Sequence, residues 1–330
     1  DPRPIPQADG TVDIEYNVEE KSSDNIELSG GWGGFQGLVG TFGVVFNNFS
    51  AKNITNFKEY RPLPKGDGQK LAVRVQANGG FQNYSLSFTE PWLGGKKPNS
   101  FSFSLFHSVQ DYSKIMERYE KMYSGSGYYN PYSYGGLGGI GGFGSSLGLY
   151  QDSYFRNTGA SLTYGKRLNW PDRNFSFSSS LSYQYYDVKN SFLIRNFRNG
   201  QANDVSAVFN ISRYSLDNPQ FTRSGSSFNM SASFTPPYSL FRNGTPENEY
   251  KWLEGHRWMI DADWYTPVIG KLVFHAKANM GFMGRYNREA SYNPFGRFVL
   301  GGAGLGMQMA VNICAELIGL RGYDEGIVYQ

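Results

Sequence analysis

Apolar and polar side chains alternate with a period of two along most of the chain, the pattern of strands with two unlike faces. The clearest stretch is 175–185. Phe175, Phe177, Leu181, Tyr183 and Tyr185 share one face, and Ser176, Ser178, Ser180, Ser182 and Gln184 share the other. In 271–282, Leu272, Phe274, Ala276, Ala278, Met280 and Phe282 oppose His275, Lys277, Asn279 and Gly281. Segments 71–78, 84–89 and 228–235 read alike, with weaker members at 25–33, 38–48, 99–109, 153–167, 205–215 and 256–266. The pattern predicts eleven strands, and no segment carries the spacing of an amphipathic helix.

Periodicity alone leaves two architectures open. In a soluble sandwich the apolar face points into a core; in a transmembrane barrel it meets lipid while the polar face lines the lumen. Three features favour the barrel. Strands of roughly 9–13 residues are long for a sandwich and suit a tilted crossing. From residue 99 onward, long connections (110–152, 188–204, 236–255) alternate with short ones (168–174, 216–224, 267–270), as outer loops alternate with periplasmic turns. Aromatics gather near strand ends, where Trp92, Trp170, Tyr214, Trp258, Trp264 and Tyr265 are candidates for interfacial girdles.

Composition agrees. Among 330 residues, 17% are aromatic and only 18% charged, with 41 glycines, yet mean hydropathy is −0.48. So many aromatics exclude disorder. No stretch approaches the ~18 consecutive apolar residues of a membrane helix. The net charge of +3 is dispersed, so there is no footprint for nucleic acid. The single cysteine, Cys314, permits no intrachain disulfide and no paired-cysteine metal motif. His107, His256 and His275 sit in separate segments without ligand spacing, so no metal and no cofactor are expected.

Candidate chemistry is sparse. Gly136, Gly138 and Gly141 form a literal G-x-G-x-x-G, but Tyr, Ser and further Gly flank it where a dinucleotide site needs a strand and a helix; a surface loop is expected. The Asn-x-Ser/Thr triplets at Asn53 and Asn229 read as part of an Asn/Ser-rich lumen face rather than as glycosylation sites. Asp261 and Asp263 share one strand face, a spacing open to paired-carboxylate chemistry. Without a nucleophile or base nearby, they read as lumen carboxylates satisfied by water, Arg or Lys, and the chain is not expected to be an enzyme.

Other segments carry a family resemblance. Residues 12–20 (VDIEYNVEE) followed by 26–34 (IELSGGWGG) resemble the junction between a final POTRA domain and the barrel in the BamA family, the assembly proteins of the outer-membrane protein 85 superfamily. The strand end with Glu90, Pro91 and Trp92 is similar to that family's rim motif, where proline halts the ladder. Leu320, Arg321, Gly322 and Tyr323 are similar to the motif of its sixth extracellular loop. The resemblance implies an all-β fold: residues 1–21 end the last POTRA domain, and 22–330 form a transmembrane antiparallel β-barrel. Family barrels continue beyond this loop, so the barrel is expected to be incomplete, with its final strands lacking. The resemblance also implies that the loop folds back into the lumen, where Arg321 makes charge-assisted hydrogen bonds.

The function so implied is insertion of β-barrel proteins into the bacterial outer membrane, at a weak lateral seam. Its first strand comprises Asn25, Ile26, Glu27, Leu28, Ser29, Gly30, Gly31, Trp32 and Gly33, and the glycines weaken its pairing. An opened edge offers N–H and C=O groups to which a client strand can add. The partners implied are nascent outer-membrane proteins, lipoproteins of the assembly complex, lipid or lipopolysaccharide, and periplasmic chaperones. A two-partner-secretion transporter of the same superfamily, a passive porin and a soluble ligand-binding barrel are the competing readings.

Overall fold

The computed structural model describes residues 2–6, 11–16, 24–32, 38–60, 63–95, 98–115, 117, 152–191, 194, 197–241, 250–287, 291–301 and 315–319. A short hairpin comes first, β1 (Pro2–Pro6) paired with β2 (Val12–Tyr16). Residues 17–20 of the expected junction strand lie outside the described residues.

Eleven strands then follow as one antiparallel meander, each bonded to its sequence neighbours. They are β3 (Asn25–Trp32), β4 (Leu38–Phe49), β5 (Gln69–Ala77), β6 (Phe81–Glu90), β7 (Asn99–Asp111) and β8 (Tyr154–Arg167). The series continues with β9 (Phe175–Lys189), β10 (Gly200–Leu216), β11 (Gly225–Thr235), β12 (Gly255–Ile269) and β13 (Leu272–Gly284). These are the eleven strands the alternation predicts. A further pair, β14 (Arg297–Gly301) and β15 (Ala315–Gly319), is parallel and was not expected. No described helix is long and apolar enough to cross a membrane.

Register converts the one-dimensional pattern into two surfaces. On one face Ile26, Val44, Val73, Leu86, Leu105, Ala160, Tyr183 and Val205 lie directly across from one another through eight strands. One residue along, Ala72, Ser87, Ser104, Ser161, Ser182 and Ser206 form the matching row on the other face. The hydroxyls there bond one another across strands, Ser104 to Ser161 at 2.6 Å, Ser182 to Ser206 at 2.7 Å and Thr163 to Ser180 at 2.9 Å. Such neutral pairs satisfy a polar wall without charge.

The polar face turns apolar at one end. Phe155, Tyr186, Val188 and Ala202 are buried there with Tyr112, Ile194, Phe197 and Leu253 from the connections. The chain after β13 crosses this same face: Phe295 stacks on Tyr186 with centroids 4.1 Å apart, and the Phe298 ring lies over Gly281 of β13. Gly281 has to be glycine for that approach, since a Cβ there would sit 2.9 Å from the ring. Connections therefore fold over one end of the inner face, the geometry of a barrel lumen covered from its long-loop side.

Some expectations need correction. Tyr214 and Tyr265 lie on the inner, polar face: Tyr214 pairs with Ser227, and Tyr265 stacks on His275 at 4.2 Å. They are not girdle residues, whereas Trp92, Trp170 and Trp264 are exposed at the short-turn end. Asn53 falls in a 3-10 turn of the 50–68 connection, not in a strand. β10 begins at Gly200, earlier than expected, because its first residues alternate little in hydropathy. Glycines 136–141 and Cys314 lie outside the described residues.

The aromatic cluster yields an expectation for stability. Phe155→Ala removes a buried ring that touches Tyr186 and Phe295, a loss of about 3–5 kcal/mol in a closed core. Heat-modifiability on gels should show its unfolding midpoint several degrees below that of wild type; an unchanged midpoint would mean the cluster does not hold the sheet.

Candidate functional site

The described sheet has two strands with one neighbour each, β3 and β13. In an antiparallel pair, alternate residues of an edge strand direct their N–H and C=O groups away from the partner. β3 is also the shortest of the eleven, 8 residues against 15 in β9 and 17 in β10. Every one of its residues is exposed, with Leu28 at 81% and Trp32 at 77%. Gly30 faces Gly40 across the pair, so that point of the hairpin has backbone but no side-chain packing. Of the expected first-strand residues, Asn25 through Trp32 form β3; Gly33 lies outside the described residues.

Two ion pairs hold this weak strand from its inner side and its foot. Glu27 receives a two-pronged hydrogen bond from Arg74 of β5, Nε to Oε2 at 3.0 Å and Nη2 to Oε1 at 3.2 Å. These side chains belong to strands that are not neighbours. They meet across β4 because the residue between them in register is Gly43; a Cβ there would lie 3.1 Å from Glu27 Oε2 and 3.2 Å from Arg74 Cγ. At the foot of β3, Asp24 is paired with Lys65 of the connection between β4 and β5.

That connection is itself tied to the rim motif. Gln69 is buried and links two segments: its Oε1 accepts from Ala51 N–H at 2.7 Å, and its Nε2 donates to Glu90 Oε2 at 2.7 Å. The other oxygen of Glu90 accepts the backbone N–H of Trp92 at 2.9 Å. β6 ends at Glu90, and Pro91 opens the turn, as expected of a residue that cannot donate to a ladder. Ser50, fully buried, donates to Asp67 at 2.6 Å and fastens the far end of the connection. Glu90, Pro91 and Trp92 thus belong to a rigid rim that carries Lys65 to the foot of β3.

Elsewhere the polar face is structural. Asp261 and Asp263 both lie on it, as expected; Asp263, for which water, Arg or Lys was the expected partner, meets His275 at 2.8 Å and accepts from Ser227 at 3.5 Å. No group of three potential metal ligands occurs among the described residues. Leu320, Arg321, Gly322 and Tyr323 lie outside the described residues; the segment 291–298 ahead of them is the part seen against the inner face. Sequence reasoning missed Arg74, Gly43 and Lys65. Arg74 stands out among the polar-face residues of its strand, but its partner is legible only once three strands are in register.

Among curated protein sequences none matches the chain. The Omp85 superfamily domain matches residues 65–326. Among solved structures, the crystal structure of BamA from Haemophilus ducreyi lacking POTRA domains 1–3 aligns with a TM-score of 0.52 and 18% identity. The alignment covers 89% of this chain and 47% of that one, so the chain spans about half the length of the structure it resembles. The likeness is one of fold, an all-β barrel.

The clasp over Gly43 is testable by a double-mutant cycle. Glu27→Gln and Arg74→Gln should have non-additive effects on denaturant unfolding at low salt, and the coupling should disappear in high salt. Gly43→Val should abolish the coupling by wedging the side chains apart; additive effects in low salt would dismiss the clasp.

Proposed function

The chain belongs to the Omp85 superfamily, whose barrels serve protein insertion or transport at the outer membrane, and we propose that this one inserts β-barrel proteins by strand addition at β3. The observation that supports it is a short first strand with Gly30 facing Gly40, held among the described residues by side-chain ion pairs at its inner side and foot. Hydrocarbon cannot satisfy a lone strand edge. A client strand that pairs with β3 before it enters the bilayer avoids that cost, and its main-chain groups supply the affinity. Nothing covalent is required, so no cofactor or catalytic residue takes part. Clients are nascent outer-membrane proteins delivered by periplasmic chaperones, with lipoproteins of an assembly complex as accessory partners and lipid or lipopolysaccharide as the surroundings.

Polypeptide secretion through the lumen is the second reading within the superfamily. Phe155, Tyr186, Phe197 and Phe295 pack together on the inner face at the long-loop end, where a passing chain would have to displace them. That cluster favours the lateral route.

Site-specific crosslinking in a reconstituted insertion assay separates the two. With the whole protein in liposomes, a cysteine at Ser29 should form a disulfide with a cysteine in the terminal strand of a client caught midway, whereas one at Ser182 in the lumen should not. Crosslinks at Ser182 without any at Ser29 would overturn insertion in favour of conduction.

A further inference from the structure

The two ends of the sheet differ in how their charges are settled. At the long-loop end, Lys114 pairs with Asp111 at 3.0 Å, Arg156 with Asp187 at 3.5 Å and Lys189 with Asp152 at 3.3 Å. The short-turn end between β8 and β13 is different. Lys166 and Arg167 end β8, Arg173 and Arg223 lie in the next two turns, and Lys271 lies in the turn before β13. All five are exposed, and none forms a hydrogen bond or ion pair through its side chain among the described residues.

The carboxylates in these turns are already committed. Arg213 bonds Asp172 at 2.9 Å and, with the backbone N–H of Asn174, holds that carboxyl below its ordinary range. Asp217 accepts the backbone N–H groups of Ser224 and Arg223, which lower it likewise. Both stay ionised at neutral pH, Asp172 held by Arg213 of β10 and Asp217 by its own turn, so neither pairs with any of the five cations.

The same rim carries aromatic side chains open to the surroundings, Trp170 at 83%, Phe221 at 80% and Trp264 at 63%. Trp264 lies on the apolar face, in register with Ser226 and Ala276, and Lys166 lies on that face opposite Phe177. Aromatics of this kind sit at headgroup depth, and a lysine at the edge of an apolar face reaches toward the same level. The turns are neighbours: Tyr214 N–H donates to Asn174 O at 3.3 Å, joining the 168–174 turn to the strand that leads into 217–224. Unpaired cations and exposed aromatics therefore share one level around the rim.

We propose that this rim binds the headgroups of anionic phospholipids in the periplasmic leaflet. Charge complementarity selects the ligand. Short turns of outer-membrane barrels face the periplasm, where the adjacent leaflet presents phosphodiesters, and each cation near such a surface adds to retention. Lipid held there fixes the depth of the β8–β13 wall while β3, on the other side of the sheet, remains free to exchange partners. The proposal rests on the outer-membrane placement and not on the insertion reading.

Native mass spectrometry of the whole protein released from nanodiscs of equal phosphatidylglycerol and phosphatidylcholine tests it. Bound phosphatidylglycerol should exceed phosphatidylcholine by about five-fold or more, and should approach parity when Arg173, Arg223 and Lys271 are all changed to serine. Wild type in 0.5 M NaCl should lose the preference too, an arm that needs no variant to fold. Preference unchanged in either arm would overturn the proposal. Loss of the preference on adding 10 mM inorganic phosphate at constant ionic strength would also overturn it, by assigning the site to a free anion.

Discussion

A strand in a membrane has to satisfy every backbone N–H and C=O group within the protein, because hydrocarbon offers no partner. The architecture follows from that demand. Ten successive antiparallel pairings settle the ladder from β3 to β13, and side-chain alternation then assigns one surface to lipid and one to the lumen. The demand goes unmet only at an edge, so an edge is where such a wall is most reactive toward another strand. A short first strand with Gly30 facing Gly40 concentrates that reactivity.

An edge that is weak also has to stay in place between events. The structure handles this with contacts that do not use the edge itself. Arg74 reaches Glu27 over the gap at Gly43, and Lys65 takes Asp24 from a connection braced by Gln69, Glu90 and Ser50. All of these lie on the inner face or at the rim, so the unpaired side of β3 is left clear. Partly exposed ion pairs contribute modestly, which suits a strand that has to yield. The far wall is built the other way, with long strands, buried aromatics and hydroxyl pairs resisting deformation.

Much of this was legible in the residues themselves. The faces of 175–185 could be assigned because Phe, Leu and Tyr alternate with Ser and Gln, broken only at Ser179, and the strand count followed. The alternation lapses at the start of β10: Gln201 and Asn203 share the face that is apolar from Val205 onward, and Ala202 and Asp204 are both buried on the other, so β10 looked shorter than it is. Tyr214 and Tyr265 were misplaced because tyrosine suits either an interface or a lumen, and only pairing with Ser227 or stacking on His275 decides. Tyr186 and Val188 interrupt the serine face, a readable sign that something covers it; that Phe295 is the cover depends on tertiary folding. The Glu27–Arg74 clasp was out of reach, since it needs the register of three strands at once.

If β3 accepts a strand along the side turned away from β4, hydrogen exchange reads it directly. A synthetic peptide with the terminal strand of a client barrel should be added to the purified whole protein in detergent, with backbone amides followed residue by residue. Exchange should slow at alternate residues of β3, those whose N–H groups point away from β4, with β9 unchanged. Protection confined to the lumen face or to β13, with β3 exchanging as before, would contradict it.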